Sequence, residues 1–208
     1  MTTEVVTNPA YEPVSLAEAR RWLRLEADDT DNTPVLQILI KAMREYAENL
    51  TFRAYVSRQL RLYLEDWPAD TKYGAKIVLP FPPLISVDSF KYRDTDGVLQ
   101  TLATTEYSVH DWSEPAIIIP AWGETWPTIR RVPDAIQVTF TCGYAPGSPS
   151  DEAANQEVQP AALRLWLQAR LATLFENREQ LIAGNQVEIP RAFADGLLDG
   201  LVVGTRLF

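Results

Sequence analysis

Hydrophobic positions in this chain follow three successive rhythms. Near the start they recur at helical spacing: Leu16, Ala19, Trp22 and Leu23, then Leu36, Leu39, Ile40, Met43, Tyr46, Ala47 and Leu50. Ser15 and Glu18 form an S-x-x-E capping box for the first of these helices, with Val14 at the staple position. Thr33 is expected to cap the second, with Pro34 at its first helical position. Lys41, Arg44, Glu45 and Glu48 fall off its apolar face. The first helix is too short to cover that face, so further helix must come from elsewhere in the chain. From Tyr55 the spacing changes to alternation, the mark of half-buried strands. Leu60, Leu62 and Leu64 alternate with Arg61, Tyr63 and Glu65. Short strands are expected at residues 77–79, 87–93, 98–102, 107–110 and 117–119. Asp94-Thr95-Asp96-Gly97 is a hairpin turn signal. The stretch from Trp122 to Tyr144 ends in the clearest strand, where Ile136, Val138, Phe140 and Cys142 share a face. A helical rhythm returns with Leu163, Leu167, Leu171 and Leu174, flanked by Trp166 and Phe175, within about residues 160–180.

The implied fold class is α+β. Two N-terminal helices and a long C-terminal helix (residues 1–54 and 155–190) form a discontinuous helical unit. A small antiparallel β domain (55–150), a sheet folded on itself as a sandwich, is inserted in it, and a C-terminal arm (191–208) extends from it. Residues 1–12 are expected as an extended arm, and residues 145–159 as a linker. The last segment is apolar but interrupted by Gly196, Gly200 and Gly204. It contains Asp195 and Asp199 and is too short to span a bilayer. Two readings stay open: the segment folds back on its own core, or it docks on another protein. On the second reading, the contact residues are Phe193, Leu197, Leu198, Leu201, Val202, Val203, Arg206, Leu207 and Phe208.

Composition narrows the function classes. The 208 residues carry 28 acidic and 19 basic side chains, a formal charge of −9. Such a chain does not hold a phosphate backbone through its overall field. One cysteine, Cys142, excludes an intrachain disulfide and a cysteine-based zinc cage. The start lacks a signal-peptide pattern, and no run is long enough for a membrane helix. Asp28, Asp29, Asp31 and Asn32 suggest a calcium loop, but the central Gly is missing and Pro34 cuts it short. No metal or other cofactor is expected. The single histidine, His110, neighbours Asp111, and adjacent strand residues face opposite sides, which is poor placement for a triad. A G-x-S-x-G elbow, a Walker loop and H-E-x-x-H are missing. Glu114 and Glu124 would be the carboxylate pair of a glycosidase. Trp112, Trp122 and Trp126 cluster in the loops of the sheet. They suit a sugar-stacking surface, a protein interface or local packing.

Several segments together resemble the head–tail connector (adaptor) family of tailed bacteriophages, in its longer helical-plus-sheet form. They are VSLAEARRWLRLEADDTDNTPVLQILIKAMREYAENLTFRAY, LPFPPLISVDSFKYRDTDG, WGETWP with VTFTCGY, LFENRE, and IPRAFADGLLDGL. Together they cover most of residues 14–200. The linker at 146–157 is longer than the family pattern, and the ending LVVGTRLF more apolar. The resemblance implies a non-enzymatic virion protein of the neck, assembled in the host cytoplasm as a homo-oligomeric ring, commonly of twelve. The ring would bind the portal, with the 191–208 arm docked on portal or a neighbouring copy. It would offer a surface to the stopper or tail and pass DNA through its bore without sequence-specific binding. Acidic side chains along the bore would let DNA slide. The competing reading is a carbohydrate-binding sheet module, or a glycosidase.

Overall fold

The computed structural model describes residues 1–69, 75–144, 158–176 and 191–204, excepting the side chains of 191–194. The described residues form two compact units: Met1–Ala10 with 52–144 and 203–204, and Tyr11–Thr51 with 158–176 and 191–202.

The first unit is all β. Strands β1 (Thr2–Thr7), β2 (Arg58–Leu64), β3 (Ile77–Val78), β4 (Leu84–Arg93), β5 (Leu99–Thr101), β6 (Tyr107–His110), β7 (Ile117–Pro120) and β8 (Ile136–Cys142) make two antiparallel sheets. One has the order β1-β2-β8-β4-β5, the other β3-β7-β6. The alternation in the sequence sets the register, pairing Leu60 with Phe140 and Leu62 with Val138. These four side chains are buried in one core that both sheets share, with Ile77, Ile118 and Tyr107 from the smaller sheet. Phe90 of β4 bridges the two, 5.2 Å from the Tyr107 ring and 6.1 Å from Trp67. The opposite face of the five-stranded sheet is polar. There Asp88 accepts from Gln59 Nε2, Thr141 Oγ1 and Ser86 Oγ at 2.7–2.8 Å.

Two turns in this unit depend on special residues. The β4–β5 hairpin is tied by Asp94, whose carboxylate accepts from the backbone of Asp96 and Val98 and from Gln100. Those bonds, the one from Gln100 first, hold its carboxyl below the ordinary value. Gly143, which ends β8 with φ +104°, could carry no side chain, because a Cβ there would lie 2.4 Å from the Val56 carbonyl oxygen.

The start of the chain departs from expectation. Residues 2–7 are β1, the edge strand on β2, rather than a free arm. The strand escapes sequence reading because it is exposed almost throughout, so it has no buried face to make a pattern.

The second unit is helical. Helix α1 (Leu16–Trp22) is capped as expected, with Glu18 N donating to Ser15 Oγ at 3.0 Å. The Glu18 carboxylate does not close a capping box. It accepts instead from Arg164 and, at 3.1 Å, from Gln168 Nε2, both on α3 (Ala161–Glu176). Helix α2 (Thr33–Thr51) starts at Thr33, one residue before the expected position, with Leu36 N bonded to the Asn32 carbonyl. The loop before it is stapled by Asp29, which accepts from Asn32 N and Nδ2 at 3.1 and 2.7 Å. Leu36, Ile40 and Ala47 are buried on α2, and Leu163, Trp166, Leu167 and Leu171 on α3. Tyr46 stacks on Trp166 at 6.0 Å.

Arg44 and Glu48 correct the expected polar face of α2: both are buried. The Arg44 guanidinium donates to Glu12 at 2.7 Å and to Glu48 at 2.8 Å, with Glu45 at 3.6 Å. A shared cation lets these positions turn inward. Burial, reinforced by Glu48 and Glu45, pushes the Glu12 carboxyl up, although Arg44 pulls it back. Burial also opposes the Arg44 charge, but the surrounding carboxylates outweigh it and leave the guanidinium harder to deprotonate.

The expected C-terminal arm is not extended where it is described. Residues Arg191–Asp199 form helix α4, followed by a turn. Asp195, bonded to Arg170 and Trp166 of α3, and the buried Leu198 hold this helix in place.

Candidate assembly interface

Helix α4 is fastened to α3 by polar bonds. Asp195 accepts from Arg170 at 2.6 Å and from Trp166 Nε1 at 3.3 Å, and the Arg170 guanidinium lies 5.8 Å from the Trp166 ring. The expected contact residues divide accordingly. Leu198 and Val203 are buried within the chain. Leu197 and Leu201 are half-buried, and Val202 is 45% exposed. Phe193 lies on α4, with its side chain outside the described residues, as are Arg206, Leu207 and Phe208. The described part of the tail therefore buries Leu198 and Val203 within the chain, as the fold-back reading expects, and leaves Val202 exposed.

The three expected tryptophans do not form one platform. Trp126 packs on the β core, stacked on Trp67 at 4.5 Å and 4° and tilted on Phe90 at 5.7 Å. Its Nε1 donates to the Ala75 carbonyl at 2.8 Å. A bulky ring with a satisfied N–H suits a core position. Trp112 and Trp122 are 79% and 103% exposed. Trp112 follows the β6 end where His110 pairs with Ile117, and Trp122 follows the opposite end, where Tyr107 pairs with Pro120. Roughly 10 Å of strand separates the two ends. A sugar ring could not stack on both.

Glu114 is paired with Arg53 at 2.6 Å. Asp111 lies in the turn beyond β6, while His110 Nδ1 accepts from Trp112 Nε1 at 3.3 Å. Cys142 is buried on the core face of β8. Among the described residues, no group of three His, Cys, Asp or Glu is placed to hold a metal ion, and no helix is long and apolar enough to cross a membrane. The buried Arg44 cluster went unread in the sequence. Its one local signal was the i, i+4 spacing of Arg44 and Glu48.

No family model matches this chain, and no curated protein does. Solved structures do. A chain from the neck of an empty GTA particle, computed with C6 symmetry, is similar with a TM-score of 0.75 and 23% identity, covering 100% of this chain and 98% of that one. A chain from the virion of a native gene transfer agent particle is similar at TM-score 0.72 and 22% identity. One from the neck of the native particle, computed with C12 symmetry, is similar at 0.68 and 22%. Coverage is the same for all three. At this identity the likeness is one of fold, and it extends over both units.

Proposed function

We propose that this chain is a head–tail connector of a phage-like particle, a non-enzymatic adaptor that assembles as a ring, of twelve copies, in the neck. The ring binds the portal on one side and the stopper or tail on the other, and DNA passes through its bore. One observation carries the reading: the whole chain, both units included, shares its fold with chains of GTA neck and virion structures. The C12 and C6 symmetry of those necks favours a ring over a closed dimer. The net charge of −9 suits a bore that DNA crosses without binding. Residues 191–208 dock on the portal or on a neighbouring copy, with Val202 as the exposed apolar contact of the described part.

Electron microscopy of the purified protein mixed with the portal of the same particle tests this. Rings seated on portal are expected. Truncation after Gly204, combined with Val202→Asp, spares the buried Leu198 and Val203, so the protein should stay folded yet cease to co-sediment with portal. Unchanged co-sedimentation would remove the docking role of the tail. The absence of any portal-bound ring with the intact protein would remove the adaptor reading.

A further inference from the structure

Trp122 stands at the second position of a tight turn, with Glu124 N donating to the Ala121 carbonyl at 2.9 Å. Gly123 takes φ +85° at the third position, as a type II turn requires. The turn is held on both sides. Ala121 N donates to the Glu106 carbonyl at 3.0 Å, and Trp126 is locked on Trp67 and the Ala75 carbonyl. Between these anchors Trp122 is wholly exposed. Turn geometry does not call for an indole there, and such a ring gains burial only from another molecule. The turn that carries the indole is formed before docking, so binding orders one side chain rather than a whole loop.

Its neighbour identifies the partner's chemistry. Glu124, last residue of the same turn, is exposed and makes no ion pair with a described residue. At the other end of the hairpin the exposed Trp112 likewise has the exposed Asp111 beside it. An indole face attracts a guanidinium or ammonium, and a carboxylate gives it a charge-assisted hydrogen bond. A second copy of this chain, with charge −9, is a poor match for an acidic turn. We infer that the Trp122–Glu124 turn docks on an arginine- or lysine-bearing surface of a different neck protein. This rests on the neck reading above.

The test measures binding of the intact protein to the portal and, separately, to the tail-side neck protein of the same particle. For one of the two, Trp122→Ala and Glu124→Lys should each weaken binding about tenfold or more, and Trp122→Phe should retain most of it. Wild-type binding to that protein should weaken with added salt. Circular dichroism and ring formation should be unchanged in all three variants. If the wild type binds neither neighbour, the neck reading fails and this inference with it. If it binds but Trp122→Ala matches it within about twofold for both neighbours, the inference alone fails. Loss of ring formation with heterotypic binding intact would make the occupant a second copy, and would overturn the inference too.

Discussion

Arg44 shows how neighbours, more than a side chain's own chemistry, decide where it sits. In the sequence it falls with Lys41 and Glu45 on the polar side of α2, and only the contacts of the folded chain place it inward. Glu12, which completes its pairing, is 32 residues away, a distance no local pattern covers. Arg44→Met should therefore destabilise the protein by about 3–5 kcal/mol at pH 7, because the buried Glu48 and the half-buried Glu12 would be left without their cation. The pH dependence follows from the Glu12 shift. A carboxyl whose folded pKa is raised binds more protons in the folded than in the unfolded chain, so stability falls as pH rises through that window. Without Arg44 the rise in Glu12 should be larger. Urea midpoints from pH 7 down to pH 5 should thus show the variant recovering part of its deficit, and a flat difference would contradict the assignment. Other residues were legible at once: Leu60, Leu62, Val138 and Phe140 alternate in sequence and are buried in the fold.

Elements were legible where one face is buried. Strands β2, β6, β7 and β8 lie within a residue or two of their expected positions, and Asp94–Gly97 makes the expected hairpin turn. Strand β1 was missed because its residues are exposed almost throughout, and α4 because glycines at 196 and 200 obscure its rhythm. Since β1 buries little, its main contribution is backbone pairing to β2 and cover for that strand's edge. Deleting residues 1–8 should cost roughly 1–2 kcal/mol in a urea titration while leaving the far-UV spectrum largely intact. The shortened protein should also aggregate more readily in light scattering, because β2 would become the open edge. Wild-type behaviour on both measures would mean that β1 is dispensable.

For the whole molecule, the α+β class and the interruption of the helical part by the sheet could be read from the change of period at Tyr55 and its return near Leu163. The association of residues 1–10 with the sheets, rather than with the helices that follow, could not be read, because it depends on a pairing across some 55 residues. The proposed docking surface was legible only as composition. Exposed Trp112 and Trp122 look the same in sequence as the packed Trp126, and only coordinates separate an outward indole from one that fills a core.

Strand β8 lies at the centre of the larger sheet and is also the last strand among the described residues. During synthesis, β2 and β4 have no direct partner in one another and must wait for residues 136–142 to leave the ribosome. The larger sheet is expected to close only when this strand arrives, because β8 alone joins β1-β2 to β4-β5 in the strand order. A nascent fragment ending at Pro133 should accordingly lack protected β amides in hydrogen exchange, while one ending at Tyr144 should gain them in β2, β4 and β8 together. Appearance of protection in β2 before β8 is present would show that the larger sheet grows strand by strand.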